Sequence, residues 1–350
     1  MRLAWPLGPL GALLLVSSCR AVPILSPPPI PPPSPVSARD SIVSVSLLLD
    51  RDFPDPSIVQ DSDGTWYAFG TASGGTNIQA AQAPSPDGPW THLDQDFLPD
   101  TGAWTSGRNS WAPDVRVIGP GRYVMYYSGE LGNDTAFHCV GVAASGSILG
   151  PYKPEVTPFA CPVEQGGAID PAGFYDEPTG KRYVLYKIDG NAVGNGGYCG
   201  NGIVPFAATP IMLQEVAADD GVTHIGDAVQ ILDRDQDRDG PLVEAPNLFR
   251  VQGGGGDGSD SFVLLYSNHC WDSPGYTVSY ATAPSIDGPY AKAGEPGDSL
   301  IGTGDWNLTA PGGATVVERE GWMVFHANCL RGRCMFGAKF GVAGTTVIVE

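Results

Sequence analysis

Hydrophobic positions in this chain come in short runs rich in aromatic and β-branched residues, separated by Gly, Pro, Asp and Ser. Five of these runs read as strands: Thr65-Trp66-Tyr67-Ala68-Phe69, Tyr123-Val124-Met125-Tyr126-Tyr127, Tyr183-Val184-Leu185-Tyr186, Phe262-Val263-Leu264-Leu265-Tyr266 and Trp322-Met323-Val324-Phe325-His326. Each follows a Pro beside an acid or Ala that opens an earlier strand. The openings are Asp55-Pro56-Ser57-Ile58-Val59, Trp111-Ala112-Pro113-Asp114-Val115, Asp170-Pro171-Ala172-Gly173-Phe174, Glu244-Ala245-Pro246-Asn247-Leu248-Phe249 and Ala310-Pro311-Gly312-Gly313-Ala314. Their prolines stand 57, 58, 75 and 65 residues apart. Three units close alike, at Ala83-Pro84-Ser85-Pro86-Asp87-Gly88-Pro89-Trp90, at Ala144 to Tyr152 and at Ala283 to Tyr290. A unit of strand, turn, strand, turn, strand, Gly-Pro turn and outer strand, repeated five times, predicts an all-β, five-bladed β-propeller over residues 42–350. A β-sandwich would not repeat the opening and closing motifs together.

The segment before the repeats differs. Residues 1–21 carry Arg2, an apolar run from Leu10 to Val16, and then Ser17 and Ser18, a signal-peptide pattern too short to span a bilayer. Val16-Ser17-Ser18-Cys19 also loosely fits a bacterial lipoprotein cleavage site. Residues 22–41 form a linker in which Pro23 to Pro35 holds eight prolines, as a polyproline spacer would. The protein is expected to be secreted, extracellular and monomeric.

Composition narrows the partners. The 350 residues include 19 Lys+Arg and 38 Asp+Glu, a formal charge of −19, which lacks the basic footprint of a nucleic-acid binder and disfavours an anionic membrane. Beyond Cys19 there are six cysteines, Cys139, Cys161, Cys199, Cys270, Cys329 and Cys334. An even count in an oxidising compartment predicts disulfides, and Cys329 and Cys334 are close enough to close a hairpin. A zinc site with His326 is the rival, but the usual CxxC pairs are missing. Asn133-Asp134-Thr135 and Asn307-Leu308-Thr309 match the glycosylation sequon.

In a propeller the first strand of each blade lines the central channel, so its start stands at one mouth. The openings therefore converge Asp55, Asp114, Asp170 and Glu244. Clustered carboxylates repel, and that repulsion raises the pKa of some of them. Such a cluster suits glycoside hydrolysis, which needs one protonated and one ionised carboxyl across a cleft. Calcium binding is the competing chemistry. Asp233 to Gly240 looks like the start of an EF-hand loop, but Pro246 stands where the twelfth-position Glu belongs, leaving a solvated acidic turn as the reading. Trp104, Trp111, Trp271 and Trp306 could stack on a sugar or pack in the core and rim. Hydrolase elbows and phosphate loops are absent from the sequence.

These residues resemble glycoside hydrolase family 43, five-bladed propellers acting on arabinose- and xylose-containing polysaccharides. The resemblance covers about residues 42–350. It implies that Phe53-Pro54-Asp55-Pro56-Ser57 carries the catalytic base Asp55. It makes Ala168-Ile169-Asp170-Pro171 the motif of Asp170, which modulates the acid, and Val243-Glu244-Ala245-Pro246 that of the general acid Glu244. Trp111-Ala112-Pro113-Asp114 matches the second-blade signature, and the resemblance extends substrate contact to Phe53, Trp111, Asp114, Asn247, His326 and Arg333. Gly313 stands where the family's fifth-blade motif has a His that holds a central metal or water, so that ligand is missing; no cofactor is expected, and the family's central calcium is left as the open alternative. Asn247 stands where many members carry His. Two further readings stay open: a retaining, fructoside-active propeller, and a sugar-binding propeller without catalysis, which the three acids count against.

Overall fold

The computed structural model describes residues 45–350, so the signal-peptide, linker and Cys19 readings lie outside the described residues. Strand β1 (Val45–Leu49) comes first, followed by five blades. Blade one is β2 (Ser57–Gln60), β3 (Trp66–Gly70), β4 (Gln79–Ala83) and β5 (Thr91–Leu93). Blade two is β6 (Trp111–Gly119), β7 (Arg122–Glu130), β8 (His138–Ser145) and β9 (Lys153–Pro154). Blade three is β10 (Ala168–Asp176), β11 (Lys181–Ile188), β12 (Ile211–Val216) and β13 (His224–Leu232). Blade four is β14 (Val243–Val251), β15 (Ser261–Asn268), β16 (Thr277–Ala283) and β17 (Ala291–Lys292). Blade five holds β18 (Gly312–Val317), β19 (Trp322–Cys329) and β20 (Gly332–Ala343), and β21 (Thr346–Val349) pairs with the end of β20. The expected five-bladed, all-β architecture is what forms.

The fifth blade departs from a simple repeat. Its outer strand is β1, antiparallel to β20 with Val45 opposite Ala338 and Leu47 opposite Phe336. The two ends of the described chain thus share one sheet, which ties the ring shut and covers the β20 edge, a free template for aggregation otherwise. This explains why the fifth unit has no Gly-Pro closing motif of its own.

In the three units that have the motif, it caps the third strand by one device. The aromatic after Gly-Pro turns back on the carbonyl four residues earlier: Trp90 Nε1 donates to Pro86 O at 3.1 Å, Tyr152 OH to Ile148 O at 2.9 Å and Tyr290 OH to Ile286 O at 3.0 Å. The second strands are not half-buried alternations. β3 and β15 are buried at every residue, because each blade is covered by a neighbour on both faces. Phe69, Tyr126, Leu185, Leu265 and Val324 stand at corresponding positions in the five blades, and all are buried in the core.

The acidic stretch Asp233–Gly240 is solvated only along Asp235–Asp237. Asp235 caps a one-turn helix, Gln236–Asp239, and Asp239 is fully buried with Lys292 and Asn268 as partners. The cysteines pair as Cys139–Cys161, Cys199–Cys270 and Cys329–Cys334, the last closing the β19–β20 hairpin. No helix among the described residues is long and apolar enough to cross a membrane. Protein beginning at Ile42, secreted into oxidising medium, should show no free thiol when unfolded without reductant and alkylated. Mass spectrometry reads this, and two or more labelled cysteines would contradict the pairing.

Candidate active site

The blade openings share one backbone irregularity. In β6, β10, β14 and β18 the ladder skips between Trp111 and Asp114, Ile169 and Ala172, Glu244 and Asn247, and Gly312 and Thr315. The residue after each break has a positive φ: Ala112 (43°), Asp170 (55°), Ala245 (50°) and Gly313 (61°), and Asp55 (53°) holds the same place ahead of β2. Left-handed backbone in a non-glycine residue costs on the order of 1–3 kcal/mol and collects at functional sites. The fifth opening therefore falls at Gly313-Ala314, three residues beyond the Ala310-Pro311 that the proline pattern suggests. In this register Asp55 and Asp170 are equivalent and Glu244 stands one residue earlier, whereas Asp114 stands two residues deeper.

Each bulge detaches an amide from the ladder, and leaving a buried N–H unpaired costs about 1–3 kcal/mol. A side chain on the second strand of the preceding blade, or one residue past its end in the case of Thr71, accepts it. Ala112 N–H donates to Thr71 Oγ1 (2.8 Å), Asp170 N–H to Ser128 Oγ (3.0 Å), Gly313 N–H to Ser267 Oγ (2.9 Å) and Asp55 N–H to His326 Nδ1 (3.1 Å). These four acceptors and Lys187 occupy equivalent positions, two residues beyond Phe69, Tyr126, Leu185, Leu265 and Val324. Sequence reading passed over Thr71, Ser128, Lys187 and Ser267. The signal for them was a polar residue recurring at one offset past five apolar runs.

A cavity of about 540 Å³ opens over this ring, lined by Asp55, Asp170, Glu244, Trp111, Trp271 and Arg333 among others. Five carboxylates face it, Asp55, Glu130, Asp170, Asp189 and Glu244, against the two cations Lys187 and Arg333. Trp111 stacks on His138 with ring centres 3.5 Å apart, and Trp271, 48% exposed, takes the Arg333 guanidinium on its ring at 4.7 Å. The loop bearing Cys199 supplies part of the wall and is tethered by its disulfide beside Trp271.

Four of the expected substrate contacts do not line this cavity. Phe53 is fully buried in the core beneath β3, where its ring fills the space a side chain at Gly70 would need. Asp114 faces the narrow channel below, accepting from Gly173 N–H (2.6 Å) and Arg116 Nε (2.7 Å). Asn247 Oδ1 accepts from Val316 N–H (3.1 Å) and lines the cavity at the opposite mouth. His326 lies buried under Asp55. Asp114 and Asn247 repeat, one layer down, the blade-to-blade tie, so they belong to the scaffold. Of the expected contacts, Trp111 and Arg333 line the cavity.

The carboxyls sit in opposed electrostatic settings. Burial works against ionising Asp55, but Arg333, with Nη1 3.6 Å away, and the Thr71 hydroxyl, donating at 2.5 Å, outweigh it and hold its pKa below the usual value. Asp170 is only half-buried by area, yet close packing round its carboxyl, and then the charge of Glu244, push its pKa well above the carboxylate range, with Lys187 opposing. Glu244 Oε2 accepts from Lys187 Nζ at 3.0 Å, and Asp189 holds the same ammonium at 3.1 Å. Lys187 is 1% exposed, a position that costs several kcal/mol for an unpaired charge and is tolerable with two anions beside it.

Among the described residues, no cluster of metal-ligating side chains gathers at the channel axis. Burial, then repulsion from Arg333, pushes the His326 pKa down to about 3, so its ring is neutral. Its Nδ1 lone pair is spent on Asp55 N–H, which puts the proton on Nε2 and leaves neither nitrogen free as a ligand. A Cβ at Gly313 would lie 3.0 Å from that ring, so this imidazole occupies space a side chain at 313 would need. The close groupings of metal-ligating types among the described residues, Asp50 with Cys329 and Cys334, and Asp272 with Cys199 and Cys270, lie elsewhere and use disulfide-bonded cysteines.

Comparison with known proteins decides the family. The model of glycosyl hydrolases family 43 matches residues 48–343. The chain belongs to this family. It is 32% identical over 143 residues to a probable arabinan endo-1,5-alpha-L-arabinosidase A of Aspergillus flavus, which covers 41% of this chain and 38% of that protein. It is 31% identical over 153 residues to the extracellular endo-alpha-(1->5)-L-arabinanase 2 of Bacillus subtilis, covering 38% of this chain and 32% of that one. The matched stretches thus span about a third of these curated relatives. In fold it is similar to the crystal structure of a thermostable family-43 glycoside hydrolase, with a TM-score of 0.69 at 22% identity over 85% of this chain and 92% of that one.

Because no cluster of metal-ligating side chains gathers at the channel axis among the described residues, this family 43 chain should be insensitive to chelation. Its melting temperature should stay within about a degree in excess EDTA, as read by differential scanning fluorimetry. A drop of several degrees that calcium reverses would show an ion holding the channel together.

Proposed function

We propose that the chain is a secreted glycoside hydrolase that cleaves α-L-arabinofuranosyl bonds of plant cell-wall polysaccharides with inversion. The observation that carries this reading is the division of proton affinity within one cavity: Arg333 and Thr71 hold Asp55 ionised, while burial and the charge of Glu244 raise the proton affinity of Asp170 beside it. Two carboxyls with pKa values pushed apart are what acid–base catalysis at one pH requires. Asp55 takes a proton from water as that water attacks the anomeric carbon. Glu244 gives its proton to the departing sugar oxygen as the glycosidic bond breaks. Asp170, tied to Ala245 N–H at 2.9 Å, is the neighbour with which Glu244 shares that proton: two adjacent carboxyls resist ionising together, so one proton stays between them and is passed on through Glu244. Trp111 and the exposed ring of Trp271 offer apolar faces for sugar rings. The names of the arabinan-active relatives favour arabinose over the xylosyl alternative. Secretion is supported by the three disulfides and by one relative's description as extracellular.

The roles separate by leaving group. Dinitrophenolate departs unaided, so Glu244→Ala should lose roughly 10²–10⁴-fold on arabino-oligosaccharide and far less on a dinitrophenyl arabinofuranoside. Asp55→Ala should be crippled on both. Proton NMR of the first-formed sugar should show the inverted anomer; a retained anomer would make Asp55 a nucleophile. Turnover of aryl xyloside alone would move the substrate to xylosyl linkages, and turnover of sucrose alone would overturn the assignment.

The pH–rate profile follows from the same environments. Its acid limb, set by Asp55, should lie below the ordinary carboxylate range, and its alkaline limb should belong to the Asp170–Glu244 pair as a unit. Asp170→Asn should move the alkaline limb downward, because the remaining carboxyl loses its neighbouring negative charge. An unmoved limb would remove Asp170 from that role.

A further inference from the structure

Four blades tie the next opening with an acceptor, Thr71, Ser128, Ser267 or His326, and the third blade has Lys187 at that position. An ammonium has three donors and no acceptor, so it cannot take the Ala245 N–H. Asp170 Oδ2 takes it instead, at 2.9 Å. The displaced ammonium, 1% exposed, reaches Glu244 Oε2 at 3.0 Å and Asp189 Oδ1 at 3.1 Å. The break in the repeat therefore falls on the opening that carries Glu244, and it draws Asp170 of the preceding opening into the tie. A scaffold needs an acceptor there, and Ser or Thr serves in three of the other blades. A buried cation meets a different demand.

We propose that Lys187 is the positioning residue of Glu244: anchored by Asp189, its ammonium fixes Oε2, leaves Oε1 for the leaving-group oxygen, and sets by its charge the pH at which the Asp170–Glu244 pair releases its proton. The assignment rests on the hydrolase reading above. The ionisable groups facing this cluster are Asp170 on β10, Asp189 beyond β11, Glu244 on β14, Asp55 before β2 and Tyr276 before β16. Lys187 is the cation in contact with the acid pair, since Arg333 lies against Asp55. Removing its charge leaves the pair facing anions, which hold their proton more tightly.

The test uses Lys187→Met and Lys187→Arg in the full protein, assayed on arabino-oligosaccharide and on dinitrophenyl arabinofuranoside across pH. Lys187→Met should lose on the order of 10²-fold in kcat on oligosaccharide, at least ten-fold less on the activated substrate, and move the alkaline limb upward. Lys187→Arg should return the limb toward its original position and recover part of the rate. Equal losses on both substrates with an unmoved limb would reduce Lys187 to a structural part and overturn the proposal, as would unchanged kinetics. If Lys187→Met fails to fold, Asp189→Asn, which loosens the anchor and keeps the cation, should show the same split at smaller size, and its absence would count equally against it. Carbon-13 NMR titration of the carboxyls in unliganded protein separates the two readings. A wild type inert on every glycoside refutes the hydrolase, while an Asp170–Glu244 titration that Lys187→Met leaves in place refutes Lys187.

Discussion

Everything at the site depends on how a closed ring of blades satisfies the amides at its axis. Five first strands must converge on a narrow channel, and each enters through a bulge with a left-handed residue that frees one N–H from the ladder. Buried and unpaired, that amide would cancel a good part of what the bulge's blade gains by packing. The preceding blade supplies the acceptor, so each opening is held by the blade before it. The last of these ties, His326 to Asp55, also crosses the seam at which β1 completes the fifth blade. Closure and placement of the first carboxylate are one arrangement.

The same frame distributes charge. Two cations serve three central acids, and each is committed to a different one: Arg333 to Asp55, Lys187 to Glu244, with Asp170 held by a backbone amide. An acid with a cation and a hydroxyl against it ionises readily, whereas one packed beside another carboxylate keeps its proton. The asymmetry needed for acid–base chemistry thus follows from which blade each acid enters on. The imidazole beneath Asp55 stays neutral for a parallel reason, being buried next to a guanidinium.

The layer below shows why shared motif does not mean shared role. Asp114 sits in an opening that resembles that of Asp55, and Asn247 in the opening of Glu244 itself, but each lies two residues past the left-handed residue of its bulge, Ala112 or Ala245. That offset takes them down the channel, where they accept the amides of Gly173 and Val316. Phe53, next to the base in sequence, points into the core because the chain runs inward just before β2.

The amino-acid sequence by itself determined the number of blades, the strand order within four of them, and the convergence of Asp55, Asp170 and Glu244. Those properties are written in local spacing, the turn chemistry of Gly-Pro and Asp-Pro, and a repeat that no other architecture explains. It did not determine the outer strand of the fifth blade, since β1 and β20 are neighbours only once the ring has closed. The fifth opening was misread by three residues because proline marks the other four bulges and Gly313 adopts the same φ unaided. Lys187 stayed hidden in an apolar strand, where a lone lysine gives no hint of its partners. Its two anions come from a loop beyond β11 and from the next blade, 57 residues away from it in the case of Glu244. Which carboxyl ionises, and which side chain faces the cavity and which the scaffold, rests on distances between blades, and only packing of the five sheets creates those distances.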